Sequence, residues 1–170
     1  TVLATARLLA GTVDLVLVGA ASARAVARAR TAGVPRVRVA VPADAAARHR
    51  MLVSADLLLL AEPPDVSGTC VPQVLVDCLG AGRPVLAATP KDSAAAAELD
   101  RAGGAGLVVA PADPVTLAAA VRALHLDDGL RGAMGTAALR HARHRLDRDG
   151  AMSRLERILQ AALAGTRRPA

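Results

Sequence analysis

The chain has 170 residues, no Phe, Tyr or Trp, and a formal net charge of +6 at pH 7. This length is sufficient for one domain with a sizeable core. Arg, Asp or Pro interrupts every apolar stretch before it reaches the roughly 18 residues of a membrane span. We therefore expect a single domain over residues 1–170 and no transmembrane segment.

The positive charge is supplied almost entirely by arginine, and its excess lies between Arg131 and Arg168. A basic tail can bind nucleic acid or anionic lipid. The chain has neither a recognisable nucleic-acid-binding motif nor stacking aromatic side chains. We favour solvated helix faces and expect no nucleic-acid partner, with anion binding by the tail as a third possibility. The N-terminus shows no secretory signal, which favours a cytoplasmic location.

Cysteine and histidine give no sign of a metal site or a disulfide. Cys70 and Cys78 are eight residues apart, and without an export signal we expect both to be small buried packing residues. No Ser-His-Asp signature or phosphate-binding Gly-Lys-Ser/Thr motif is present. The four histidines are scattered, and we expect all of them at the surface: His49, His125, His141 and His144.

Short apolar segments alternate with segments of helical periodicity along the whole chain. This alternation predicts an α/β fold, a doubly wound parallel sheet of about five strands with helices on both faces. Asp44 and Asp113 are predicted helix N-caps, and Pro114 a first helical residue. The predicted strands are 13–18, 36–40, 55–60, 84–88 and 107–110. The predicted helices are 1–10, one from Ala21 or Ser22 to about Gly33, 44–52, the first half of 71–86, 93–101, 114–126, 129–146 and 151–164.

The stretch from Val71 to Leu86 suggests a binding chemistry. In doubly wound sheets, ligands lie beyond the carboxyl ends of the strands, so the loops 19–22, 41–43, 62–71 and 89–93 are the candidates. Loop 62–71 leads into a helix whose free amides would receive a phosphate. Asp77, about two turns into that helix, could accept hydrogen bonds from a sugar diol. This layout fits a nucleotide diphosphate, although a lone acid on a helix is more often a solvated surface residue.

Three segments resemble the donor-binding half of GT-B glycosyltransferases of the retaining, family-4 type. The resemblance runs from about Leu8 to Leu163, and its most specific part is Asp77 followed by Gly82-Arg83-Pro84-Val85. The three segments are Ala55-Asp56-Leu57-Leu58-Leu59-Leu60, Val71-Pro72 through Gly82-Arg83-Pro84-Val85-Leu86, and Gly104-Ala105-Gly106-Leu107-Val108-Val109 continuing through Asp113-Pro114 to Leu117.

The resemblance implies half of a GT-B fold that binds a nucleotide diphosphate sugar as substrate, without a cofactor or metal. It places the backbone amides of Gln73 and Val74 at the diphosphate, Asp77 at the ribose and Ser93 against the donor. It assigns no catalytic residue. The acceptor-binding domain of the family is absent from the 170 residues, so we expect no turnover by this domain alone.

The sequence departs from the family pattern at three positions. Asp77 stands where the family has a longer glutamate, Thr69 where a second acid is common, and Val74 where related members have a lysine. The alternative interpretation is a non-catalytic or engineered aromatic-free α/β scaffold that keeps the fold without binding. The family's first, central strand is also missing, and direct pairing of the predicted strands 13–18 and 55–60 would give the strand order 2-1-3-4-5.

Overall fold

The computed structural model describes residues 1–9, 11–19, 24, 27, 30, 33–65 and 70–165, except for the side chains of 148, 164 and 165. Arg24, Ala27 and Arg30 are helical, and the rest of the helix predicted from Ala21 or Ser22 lies outside the described residues. The other elements are α1 (Val2–Leu8), β1 (Leu15–Val18), β2 (Val37–Ala40), α2 (Ala45–Ser54), β3 (Leu58–Ala61), α3 (Gln73–Gly80), β4 (Val85–Ala88), α4 (Ala94–Arg101), β5 (Gly106–Val109), α5 (Pro114–Leu126), α6 (Asp128–Arg145) and α7 (Arg148–Gly165).

The strands pair in parallel, as predicted, but they form two sheets. β1 pairs with β2, starting at Leu15 with Val37. The second sheet has the order β3-β4-β5 and starts at Leu58, Val85 and Gly106. Within the described residues β1 and β3 are not hydrogen-bonded neighbours, so the continuous order 2-1-3-4-5 is wrong. Among the described residues, Leu15 of β1 and Val37 of β2 pack on one buried cluster, and the larger sheet packs on two others.

The larger sheet carries helices on both faces, which confirms the doubly wound arrangement around it. Successive side chains of β4 point to opposite faces. Val85 and Ala87 lie in the core cluster with Leu75 and Leu79 of α3 and Leu99 of α4. On the other face, Leu86 and Ala88 pack with Leu117 of α5. All four residues of β4 are buried, as expected for a central parallel strand.

The turn between α3 and β4 is formed by Gly82-Arg83-Pro84, which holds neighbouring elements of the fold together. Gly82 has a φ of 65°, a left-handed conformation that glycine adopts without a Cβ clash. Gly135 of α6 packs on this turn so closely that a Cβ there would lie 2.5 Å from the carbonyl oxygen of Gly82. Arg83 Nε donates to the carbonyl oxygen of Val53, 2.8 Å away, at the end of α2. The motif therefore joins α2, α3, β4 and α6.

His141 is the exception to the surface prediction for histidine. It is 6% exposed, and its Nε2 lies 2.6 Å from Oε1 of Glu98, a residue of α4 that is also buried. Arg101 pairs with the other carboxylate oxygen of Glu98. The prediction for His141 is wrong because Glu98 provides a buried polar partner on the facing helix. His49, His125 and His144 are exposed, as predicted.

The C-terminal helix α7 has an exposed apolar face. Met152, Leu155, Ile158 and Leu159 recur at helical spacing and are between 48% and 65% exposed. Arg154 of this helix donates from Nη2 to the carbonyl oxygen of Arg145, 2.8 Å away. Of the helices that the structure describes, none has the length and apolar character needed to cross a membrane.

Candidate functional site

Helix α3 is held to the sheet by one face and presents the other toward α2. Leu75, Cys78 and Leu79 are its buried residues. Pro72 is the N-cap and offers no side-chain acceptor, and the first described helical hydrogen bond runs from the amide of Leu75 to the carbonyl oxygen of Pro72, at 2.9 Å. The amides of Gln73 and Val74 precede that bond. They stand at the positive end of the helix dipole, where an anion is stabilised.

Asp77 lies on the open face of α3, and both of its carboxylate oxygens have a partner. Oδ2 is 2.9 Å from Nη2 of Arg48, on α2. Oδ1 accepts a hydrogen bond from Nε2 of Gln73 at 3.1 Å. The Asp77 side chain is 28% exposed and that of Arg48 is 37% exposed. Asp77 is therefore a half-buried member of a polar group that bridges two helices, and it is not a fully solvated surface acid.

A cleft of about 670 Å³ separates α2 from α3, and Asp77 lies in its wall. Gln73 lines the same cleft, so the structure brings two of the predicted site residues together. The predicted ligand-binding loop 41–43 contributes Pro42. The complete lining is Pro42, Asp44, Ala45, Arg48, His49, Leu52, Gln73, Val76, Asp77 and Gly80.

Arg48 and His49 are site residues that the sequence analysis missed. Their place in the cleft depends on the position of α2. The N-cap of α2 is Asp44, and its Oδ1 accepts a hydrogen bond from the amide of Ala47 at 2.6 Å. The cap was predicted from the sequence. Nothing in the local pattern indicates that Arg48 faces Asp77, because that contact depends on how two helices from distant parts of the chain pack.

Val74 lies in the first turn of α3, and Thr69 precedes this helix in the sequence. Val74 is 44% exposed at the start of α3. Thr69, the position of the second acid in the family, lies outside the described residues, as do residues 66–68. Within the described ranges, no three His, Cys, Asp or Glu residues are grouped so that they could hold a metal ion.

Ser93 is buried and is not part of the cleft lining. Its Oγ accepts from the amide of Ala96 at 3.1 Å, which makes Ser93 the N-cap of α4. Thr89, at the end of β4, lies 2.8 Å from Ser93 Oγ and also hydrogen bonds to the Glu62 carboxylate. Ser93 is 2% exposed. A contact between its hydroxyl and the nucleotide-sugar donor stays a prediction, and this contact would require the hydrogen bonds of Ser93 to change. Glu62 and Thr89 are polar groups at the carboxyl ends of β3 and β4 that the sequence analysis did not single out.

The two cysteines have different surroundings. Both are free thiols. Cys78 is buried as predicted, and burial, with a smaller contribution from the neighbouring Asp77 charge, raises the pKa of its thiol to about 11. Cys70 is exposed, so the prediction that it is a buried packing residue is wrong. It lies in the loop before α3, whose described residues do not enclose it.

The fold is similar to that of several solved structures. HepE from Anabaena in complex with UDP-glucose matches with a TM-score of 0.74 and 20% identity, over 94% of this chain and 44% of HepE. The complex of HepE with UDP matches with a TM-score of 0.73 and 21% identity, over 94% and 44% of the two chains. WaaG, a glycosyltransferase involved in lipopolysaccharide biosynthesis, matches with a TM-score of 0.64 and 25% identity, over 84% of this chain and 38% of WaaG.

The sequence comparisons add no further relative. No protein-family model matches the chain, and no curated protein gives a significant match. The chain spans less than half the length of the solved proteins that it resembles. Its fold is that of a Rossmann-like domain of GT-B glycosyltransferases, which confirms the predicted resemblance to that fold.

Proposed function

We propose that residues 1–170 form the donor-binding domain of a glycosyltransferase and bind a nucleotide diphosphate sugar. The observation that carries the proposal is the position of Asp77 in the wall of the α2–α3 cleft, about one turn from the start of α3. A helix start and an acid in one cleft can hold a diphosphate and a sugar diol at the same time. The complexes of HepE with UDP and UDP-glucose support the choice of ligand.

Each predicted residue has a separate part in donor binding. The backbone amides of Gln73 and Val74 donate to the diphosphate, and Asp77 accepts hydrogen bonds from the ribose hydroxyls. The cleft between α2 and α3 has room for the nucleoside. Ser93 is the N-cap of α4, the helix after β4, and it is the fourth residue predicted to contact the nucleotide-sugar donor. No cofactor and no catalytic residue are assigned.

Sugar transfer itself requires a second, acceptor-binding domain as partner. The solved relatives are more than twice as long as the part that this chain matches, which supports a functional unit larger than this domain. Without the opposing wall of the active site, an acceptor is neither positioned nor shielded from water. We therefore expect donor binding without turnover. A cytoplasmic location belongs to the same proposal.

Titration calorimetry with UDP, UDP-glucose and GDP tests the assignment of Asp77. We expect binding of at least one of these nucleotides by the wild-type domain, and a loss of about tenfold or more in affinity in Asp77→Ala, because hydrogen bonds to a charged acceptor contribute about 1.5–3 kcal/mol. Asp100→Ala is the matched control, since Asp100 is an exposed acid on α4 and does not line the cleft. An absence of heat with all three nucleotides would favour a scaffold without donor binding.

A further inference from the structure

We infer that Arg48 is a positioning residue of the donor site, which holds the Asp77 carboxylate in the orientation that receives the ribose. The inference rests on the proposed function and assigns to that site a residue from outside α3. Arg48 is on α2, in the wall of the cleft opposite α3. It reaches across the cleft to Asp77 with an N–O distance of 2.9 Å.

The hydrogen bonding of Asp77 leaves room for a diol. A carboxylate has about four acceptor positions, two on each oxygen. Arg48 takes one position on Oδ2 and Gln73 takes one on Oδ1. Each oxygen therefore keeps one acceptor position for a sugar hydroxyl. Two ribose hydroxyls can bind without breaking either existing contact, so Arg48 need not leave when the ligand enters.

Gln73 alone cannot fix Asp77 relative to the cleft. Gln73 is four residues before Asp77 on the same helix, so their hydrogen bond is unaffected by movement of α3 against α2. The Arg48 contact joins the two walls. Asp77 and Arg48 remain partly exposed, at 28% and 37%, so the paired carboxylate is accessible from the cleft.

The charges around the cleft favour a role for Arg48 in pairing with Asp77 over a role in attracting phosphate. Asp44 and Asp77 are the acids in the lining, and Arg48 is the arginine. Nη2 of Arg48 is already paired with the Asp77 carboxylate, 2.9 Å away. Removal of Arg48 should therefore affect recognition of the ribose hydroxyls more than recognition of the phosphates.

Binding of UDP and of 2′,3′-dideoxy-UDP, which lacks both hydroxyls that Asp77 would receive, tests the role of Arg48 by calorimetry. We expect Arg48→Met to weaken UDP binding by about tenfold, as for loss of an oriented charged acceptor, and to change 2′,3′-dideoxy-UDP binding by less than about threefold. The preference for the ribonucleotide should thus nearly disappear. Arg48→Lys keeps one positive donor and should restore part of that preference.

Arg50→Met is the control for loss of an arginine from α2, because Arg50 is exposed and does not line the cleft. Circular dichroism and thermal unfolding establish that each variant is folded. Equal weakening of both nucleotides in Arg48→Met would show a general structural or charge effect and overturn the inference. Unchanged or tighter UDP binding would show that Arg48 is dispensable or competes with the ribose, which also overturns it. If the wild type binds neither nucleotide, the proposed function fails and the role of Arg48 fails with it.

Discussion

Cys78 follows Asp77 on α3, yet its side chain belongs to the core. Its thiol packs with Leu75 and Leu79 in the largest buried cluster, while Asp77 lines the cleft. Successive residues of a helix point about 100° apart, so one position separates a core residue from a site residue. A substitution at Cys78 would therefore act on packing, and one at Asp77 would act on the polar group with Arg48 and Gln73.

Alkylation of the native protein should distinguish the two cysteines. At pH 8 we expect iodoacetamide to modify Cys70 and leave Cys78 unmodified, because the thiolate is the reactive form and the pKa of the buried Cys78 is raised to about 11. Peptide mass spectrometry locates the label. Cys70→Ser should take up no label until the protein is unfolded, and rapid labelling of Cys78 in the folded protein would contradict the description of α3.

The candidate site shows how far single residues can be predicted. Asp77 is identified by its spacing from the helix start and from Gly82-Arg83-Pro84, which are local features of the sequence. Arg48 has no such signal, because its contact with Asp77 depends on the packing of α2 against α3. His141 was missed for the same reason, since its partner Glu98 lies on a different helix.

Helix starts are well predicted because their capping chemistry is local. Asp113 accepts from the amides of Val115 and Thr116, at 3.1 and 3.0 Å, and α5 begins at Pro114 as expected. Hydrogen bonding to the Thr116 side chain, together with these amide hydrogen bonds, holds the pKa of the Asp113 carboxyl below its ordinary value. Strand ends are less well predicted, and β3 covers Leu58–Ala61 where 55–60 was expected. A strand ends where its neighbour stops offering hydrogen bonds, and the neighbour of β3 is β4, later in the chain.

Helices α4 and α6 are joined by the buried pair of Glu98 and His141. Burial by itself would raise the pKa of Glu98, but the hydrogen bonds with His141 and Arg101 outweigh that effect and lower the pKa below its ordinary value. A carboxyl with a lowered pKa in the folded state stabilises the protein above its unfolded pKa. That contribution is lost as the pH falls through the folded value.

Glu98→Gln should therefore be less stable than the wild type at pH 7, by about 1–3 kcal/mol for a buried charged hydrogen bond. The difference should shrink as the pH is lowered below about 4.3, the ordinary unfolded value for glutamate. Urea unfolding at pH 7, 4 and 3 measures it. Glu156→Gln, a change of an exposed acid on α7, is the control and should have little effect at any of these pH values. An unchanged difference between pH 7 and pH 3 would show that the Glu98 charge is not what stabilises the contact.

At the scale of the molecule, the α/β class and the parallel strands are predictable because short apolar strands alternate with helices along the chain. The division into two sheets is not, since the same alternation is compatible with pairing β1 to β3 or leaving them apart. The apolar spacing of α7 predicts the helix correctly, but it does not show whether that face is covered. Which edges and faces meet is determined by contacts between distant segments.

Among the residues that the structure describes, the two sheets differ in the core that packs against them. The β3-β4-β5 sheet is packed on both faces and contains the fully buried β4. The β1-β2 sheet rests on a small cluster in which Ala6 and Val34 are the buried residues, and Val16 and Val18 of β1 are 39% and 41% exposed. Because local opening requires less free energy where less apolar surface is buried, the smaller sheet should open first.

Hydrogen exchange followed by mass spectrometry should show this difference directly. We expect the amides of β1 and β2 to exchange at least about tenfold faster than those of β4, which corresponds to a difference of about 1.4 kcal/mol in opening free energy. Val34→Ala removes apolar volume from the small cluster and should speed exchange in β1 and β2 while leaving β4 nearly unchanged. Equal acceleration in both sheets would mean that they open together as one cooperative unit, despite the absence of hydrogen bonds between β1 and β3 in the described structure.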